Sequence, residues 1–289
     1  MNYIFHILTM INIYLILSLS LNILVGYSGL LSICHAAFYG IGAYISAILM
    51  TKLGINFFFA LPIAIIGSMV LSLLVSIPSV RLKGDYFILT TFAFQIIVFD
   101  VLYNWVSLTK GPYGISGIPS PSFLGYLITG PVKYFFFSLI ISILCFVFMN
   151  IVLKAPFGQV LKAIREDETL AHALGKNVTK FKIQAFAVAS ALAAISGVLF
   201  AHYVTYIDPT SFTLDESIFL LSIVLIGGCG NIKGPIFGTF LLVIIPEILR
   251  FLGIPDTIAP NIRQIIYGLL LVIFMYFRPQ GIAGEYKFE

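Results

Sequence analysis

Residues 132–153 read VKYFFFSLIISILCFVFMNIVL, with a single charge, Lys133, near the start. A helix needs about 20 apolar residues to cross the hydrocarbon core of a bilayer, and this stretch supplies them. Working outward from it, the same texture recurs. Residues 3–24, 57–77, 85–105 and 183–203 are apolar runs of similar length. Residues 26–51 begin Gly-rich and continue as an apolar run. Residues 216–250 hold two shorter apolar pieces divided by Gly227, Gly228, Gly230, Gly234 and Pro235, and residues 262–278 form the last run. Backbone polar groups in lipid are satisfied only within helices or closed barrels, so each run is expected to be helical. The reading is an all-α polytopic integral membrane protein of about nine spans, roughly eight to ten depending on how the Gly-broken segments are counted. It forms one domain over residues 1–289.

Composition agrees. Of 289 residues, 60% are hydrophobic and only 10% charged, and mean hydropathy is +1.06. A soluble domain carries roughly 25% charged residues, so a soluble enzyme, a disordered chain and a basic nucleic-acid binder are all excluded. Cys34, Cys145 and Cys229 lie far apart in apolar stretches and read as small buried hydrophobes, with no spacing for a metal site or a disulfide framework. No cofactor is called for. The first 25 residues hold no Lys or Arg, so the first run is expected to be a retained crossing rather than a secretory signal.

Orientation follows from the positive charges. With the 154–182 connection placed in the cytoplasm, that side holds eleven Lys and Arg and the other side five, namely Lys52, Lys110, Lys133, Arg250 and Arg263. The bias predicts an external N-terminus and a cytoplasmic C-terminus.

Two Gly-rich breaks interrupt the apolar pattern. One is Gly26-Tyr27-Ser28-Gly29; the other is Gly227-Gly228-Cys229-Gly230, followed by Pro235. Each lies early in one half of the chain, which suggests a two-half pseudo-repeat. Broken helices in matching positions mark a candidate translocation path, and close packing through small residues is the simpler, compatible reading. His35 sits beside the first break, either as a neutral imidazole bound to a helix carbonyl or as a path-lining group. Gln95 is read as a bridge between helices. Asp100 lies at the external end of its run and is read as an interfacial anchor. The spans lack a chain of central acidic groups, which favours a path powered by a partner.

The connection 154–182 is the only long charged one. Phe157, Val160, Leu161, Ile164, Ala171 and Leu174 recur at helical spacing. Pro156 suits a helix start, Asp167 an N-cap, Gly175 a C′ position, and Thr179 a cap for the returning helix. An amphipathic helix resting on lipid headgroups would carry a cationic polar face. Here Arg165-Glu166-Asp167-Glu168 is mixed and acidic, with Glu168 on the apolar stripe and Lys162 on the solvated face. That pattern suits docking to a protein.

At this segment the sequence resembles the permease subunits of ATP-binding-cassette importers, in particular the LivM-like subunits of branched-chain amino acid importers. The resemblance runs over nearly the whole chain. It begins at Asn22-Ile23-Leu24-Val25-Gly26-Tyr27-Ser28-Gly29 and His35-Ala36-Ala37-Phe38-Tyr39-Gly40, and continues at Arg81-Leu82-Lys83-Gly84-Asp85. It is densest from Ala163 to Gly175, extends through Leu225–Pro235, and ends at Phe277-Arg278-Pro279-Gln280-Gly281. Cys34 and Cys229 depart from the family's usual residues. The resemblance implies a non-enzymatic transport subunit in the bacterial plasma membrane. It implies as partners a second permease, two cytoplasmic ATPases and an extracytoplasmic substrate-binding protein. It makes Arg165, Glu166, Asp167, Glu168, Ala171 and Gly175 the ATPase-docking loop. The chain has no Gly-x-x-x-x-Gly-Lys-Ser/Thr phosphate loop, in keeping with ATP hydrolysis on separate subunits. Branched-chain amino acids are the leading cargo. A permease for a nucleoside, urea or sugar, and a self-contained secondary transporter, are the alternatives.

Overall fold

The first apolar run winds into α1 (Asn2–Asn22), which continues without a gap into a π-helical turn at Ile23–Tyr27. A computed structural model of the chain describes residues 2–82, 84–123, 126–251, 259–278 and 280–284. After an irregular stretch, α2 (His35–Leu53) begins, and the following runs give α3 (Phe57–Ser79) and α4 (Asp85–Asn104). A short α5 (Val106–Thr109) leads into a loop, and α6 (Pro131–Lys154) crosses back. The charged connection forms α7 (Pro156–Glu166) and α8 (Glu168–Ala173). Then follow α9 (Val178–Val204), α10 (Leu214–Gly227), α11 (Gly234–Phe251) and α12 (Ala259–Phe277). Among the described residues, seven segments are long and apolar enough to cross a membrane, and α11 and α12 contribute two shorter apolar helices. The all-α polytopic fold read from the sequence is therefore the one observed.

Lipid gives helices no hydrophobic reason to associate, so small residues and hydrogen bonds decide which faces meet. On α3 the buried stripe runs Ala60, Ala64, Ser68, Ser72, Ser76, one small residue every fourth position, against α9. The opposite face shows Phe59, Ile63, Ile66 and Val70 to the surroundings. The tightest crossing is α2 on α9. A Cβ on Gly42 would lie 2.4 Å from Ala194 Cα, and one on Gly197 would lie 2.0 Å from the Tyr39 carbonyl oxygen. Only glycine permits two backbones that close. Helices α1, α2 and α9 thus form an inner layer, with α3, α4 and α6 around them, their outer faces exposing apolar side chains.

Buried polar groups lock the layers. The Gln95 side chain accepts from Ala37 N (2.8 Å) and Ser217 Oγ (3.2 Å) and donates to the Phe212 carbonyl (2.9 Å), joining α4 to α2 and α10 as the sequence reading expected of a bridge. The connections gather at two ends. At one, the strand end, β1 (Ile115–Ser116) pairs antiparallel with β4 (Tyr206–Ile207), and β2 (Ser122–Phe123) with β3 (Tyr126–Leu127). Lys52 Nζ donates to the Ser107 and Leu108 carbonyls at this same end. At the other, the loop end, residues 28–31, Leu82, residues 84–88 and the α7–α8 pair surround one cavity.

Some local expectations are corrected. The first break is not a Gly-rich start to α2 but a π turn closing α1, sealed by Ser28 Oγ donating to the Leu24 carbonyl at 2.8 Å. α9 is capped by Asn177, whose side chain accepts from Lys180 N at 3.1 Å, and not by Thr179, which already lies inside the helix. The tiny strands at the strand end had no sequence signal, since two-residue pairings carry no periodicity.

Candidate functional site

The α7–α8 pair is built from local signals. Pro156 occupies the first position of α7, where its missing N–H costs nothing. Leu161 and Ile164 turn inward, and Ile164 packs with Ala171 and Val178 in a small cluster of its own. Asp167 caps α8: its Oδ1 accepts from Thr169 N (2.8 Å) and Leu170 N (3.0 Å). Those amides, Leu170's foremost, hold the Asp167 carboxyl below the ordinary carboxylate range. Gly175, at φ +77°, ends the turn, and Lys176 N closes onto the Ala171 carbonyl at 3.2 Å.

The inner side of this pair grips the first break. Arg165 Nη1 donates to the Gly26 carbonyl at 2.6 Å, and its Nε and Nη2 donate to Glu166 Oε1 at 3.1 and 2.5 Å. The Arg165 side chain is only 8% exposed, so this is a charge-assisted bond largely withdrawn from water. Its stem lies under Gly29, where a Cβ would come within 3.0 Å of Arg165 Cγ. One turn earlier, Lys162 Nζ sits 5.2 Å from the centre of the Tyr27 ring.

The two breaks themselves meet. A Cβ on Gly26 would lie 2.4 Å from Gly230 N and 2.1 Å from Asn22 Oδ1. Asn22 stitches the contact: its Oδ1 accepts from Gly230 N (3.3 Å) and its Nδ2 donates to the Asn231 carbonyl (3.0 Å). A continuous chain of contacts thus runs from the surface helix α7 through Arg165, Gly26 and Asn22 to the turn between α10 and α11. Beside it lies a cavity of about 390 Å³, bordered by Gly29, Asp85, Arg165, Glu168 and Lys182.

The second break is held differently. Gly227 packs on Gly234, where a Cβ would lie 2.2 Å from the Gly234 carbonyl oxygen. Gly228, at φ +111°, lies against the backbone of Gly284. Ile282 N and Ala283 N, beyond α12, donate to the Ile226 and Gly227 carbonyls at 2.9 Å each. Pro235 is buried in the first turn of α11.

Other sequence-predicted residues fall elsewhere. Glu168 does not stand free on an outer face; its Oε2 accepts from Lys182 Nζ at 2.7 Å. Ala171 is buried in the small cluster and Lys162 is half-buried on Tyr27, whereas Leu170 and Leu174 are exposed. The apolar stripe drawn through Leu174 therefore breaks at Asp167, because the cap reorients the helix that follows. His35 is fully buried, and its Nε2 meets Ser20 Oγ (3.1 Å) rather than a carbonyl. The Ser20 proton goes to the Ala189 carbonyl (2.6 Å), so His35 donates. Asn22 and Lys182 were not singled out from the sequence as site residues. Asn22 lay inside the first apolar run and was quoted only for the resemblance, Lys182 counted only as a charge, and a side chain's partner from a distant element leaves no local signal.

The family described as branched-chain amino acid transport system / permease component matches residues 3–275. The chain belongs to this family. Similar curated proteins carry related names. The high-affinity branched-chain amino acid transport system permease protein LivM of Salmonella typhimurium is 36% identical, over 95% of this chain and 68% of that protein. A probable branched-chain amino acid transport permease protein LivM from Methanocaldococcus jannaschii is 30% identical, over 96% of this chain and 92% of that protein. The permease protein LivH of Salmonella typhimurium is 25% identical, over 96% and 92%. No solved structure matches the chain. The protein is thus a multi-pass, LivM-like membrane permease, and the junction of α7 with the two breaks is its candidate functional site.

Proposed function

We propose that this permease is the non-enzymatic transmembrane subunit of an ATP-binding-cassette importer for branched-chain amino acids. It works beside a second permease or another copy of itself, two cytoplasmic ATPases and an extracytoplasmic binding protein, in a bacterial plasma membrane. The loop end faces the cytoplasm and the strand end the outside. The LivM and LivH names of its relatives supply the cargo class. The observation that carries the mechanism is the two-sided character of the α7–α8 pair. Its outer side presents Leu170 (58% exposed) and Leu174 (70% exposed) next to Glu166 and Asp167, a small apolar patch rimmed by acids. Such a patch suits a groove on a partner. Its inner side holds Gly26 through Arg165. Movement of a docked ATPase would therefore pull directly on the point where the two helix breaks touch, which is where an inward-facing path would open.

The test is reconstitution with the neighbouring ATPases and binding protein. Leucine uptake should require ATP, and Leu170→Asp with Leu174→Asp should release the ATPases while leaving the permease in the membrane. Uptake driven by an ion gradient without ATP would favour a self-contained secondary transporter. ATP-driven uptake of a nucleoside, urea or sugar with leucine ignored would change the cargo.

A further inference from the structure

At the strand end, opposite the α7–α8 pair, a second cavity of about 430 Å³ opens between α1, α10, α11 and α12. Its walls are aromatic and apolar: Tyr14, Phe219 and Tyr267, with Met10 and Val243. The rings are in mutual contact, Phe219 to Tyr267 at 4.7 Å between centroids and Tyr14 edge-on to Phe219 at 5.5 Å. The polar groups bordering it are Thr213, Asp215, Glu216, Glu247 and Gln264, with no Lys or Arg beside them among the described residues.

Glu216 is the unusual one. It stands in the first turn of α10, and its Oε1 is shut off from solvent with no hydrogen-bond partner among the described residues. The Tyr14 hydroxyl lies next to the same carboxylate. The other acids are accounted for: Glu247 accepts from the Tyr3 hydroxyl, and Asp215 is exposed. Carboxylates at a helix start are stabilised by the helix dipole, but that explains the charge; the Tyr14 hydroxyl is a neighbouring donor to the carboxylate, and Oε1 itself is left unpaired among the described residues. A buried acceptor left unmade is costly, and structures retain one where something else supplies the donor.

We propose that this cavity is a subsite for the primary ammonium group of the cargo, with Glu216 as its acceptor. This rests on the amino-acid reading given above and deepens it. An ammonium brings three donors and a positive charge, which suit a carboxylate flanked by ring faces. Met10, Val243 and Phe219 provide apolar wall for a branched aliphatic side chain. The cargo would meet this pocket first on its way from the strand end.

Two measurements test it. In reconstituted vesicles with the partner subunits, Glu216→Gln should lower leucine uptake at least tenfold while ATPase binding stays intact, whereas Asp100→Asn, at the exposed end of α4, should leave uptake unchanged. In the purified permease, labelling of Glu216 by a hydrophobic carbodiimide, read by peptide mass spectrometry, should be blocked by leucine and by 3-methylbutylammonium, and not by 4-methylpentanoate, which lacks the amine. Protection by the ammonium probe without any leucine uptake would keep the subsite and remove the amino-acid importer reading. Unchanged labelling under saturating leucine and 3-methylbutylammonium, or full uptake by the Glu216→Gln protein, would overturn the proposal.

Discussion

The two glycine breaks look alike in sequence and are secured in opposite ways. The first, at Gly26–Gly29, is held by a side chain from the surface pair, Arg165 on the Gly26 carbonyl. The second, at Gly227–Gly230, is held on its far side by backbone, with Ile282 and Ala283 donating to Ile226 and Gly227, while Asn22 joins its Gly230 end to the first break. One break is tied to an element that projects from the membrane domain, and the other is tied to the segment that follows the last helix. The lesson is that a similar local motif serves as a moving joint or a fixed one according to what reaches it. A single charged side chain can let go and re-form, whereas paired backbone bonds in a packed turn act as a seam.

The largest effect should come from filling the point where the breaks meet. Gly26→Val places new atoms against Gly230 N and the Asn22 side chain, with backbone on one side that cannot step away. Overpacking of this kind costs about 1–3 kcal/mol or more. Purified yield and uptake should both collapse. Gly228→Leu puts a side chain at φ +111° against the backbone of Ala283 and Gly284, so the seam itself must part, but the contact between the breaks is left unfilled and the protein should still reach the membrane with uptake reduced. Equal damage from the two would erase the distinction between joint and seam, as judged by membrane levels and leucine uptake side by side.

Next is the grip itself. Arg165→Ala removes the charge-assisted bond to the Gly26 carbonyl, about 1.5–3 kcal/mol, together with the pairing to exposed Glu166. ATPases should still co-purify, because Leu170 and Leu174 are untouched, yet substrate-stimulated ATP hydrolysis and uptake should fall about tenfold, the equivalent of 1.4 kcal/mol. Loss of ATPase binding instead would make Arg165 a docking residue rather than a link.

A smaller effect is expected at Glu168. Glu168→Gln leaves Lys182, 6% exposed, without its carboxylate, but Glu168 itself is 42% exposed and water screens the pair. The loss should be on the order of 1 kcal/mol, visible as a lower melting temperature and partly restored by adding Lys182→Met. Failure of the second change to restore stability would assign Glu168 to the partner surface after all.

The smallest effect concerns acid. Asp167's carboxyl is held below its unfolded value by the amides of α8, so the cap is fully present above the unfolded carboxylate pKa and is lost as pH falls through the lowered folded value. Amide exchange over 168–173, corrected for intrinsic rates, should accelerate in that acid window, and Asp167→Asn should flatten the response because its amide oxygen still caps. The Gly26 and Gly230 region should show no such dependence.

How the chain reads on its own depends on the distance over which each feature is encoded. The nine apolar helices among the described residues were legible because membrane crossing demands a contiguous apolar run, a property of neighbours in sequence. The Asp167 cap, the Gly175 stop and the glycine breaks were legible for the same reason: each is a conformational need of one or two residues. Their partners were not. That Gly26 lies against Gly230, that Arg165 reaches back to Gly26, that Glu168 turns inward to Lys182, and that Glu216 faces a cavity were decided only when helices packed. Packing in lipid is chosen by small-residue faces such as Ala60–Ser76 on α3 and the Gly42–Gly197 crossing, which fix distances between residues far apart in the chain. The sequence by itself determined a many-helix permease with two breaks and a charged surface pair. Tertiary structure alone decided that these three meet at one junction, since hydrogen bonds across 139 or 208 positions have no local cause.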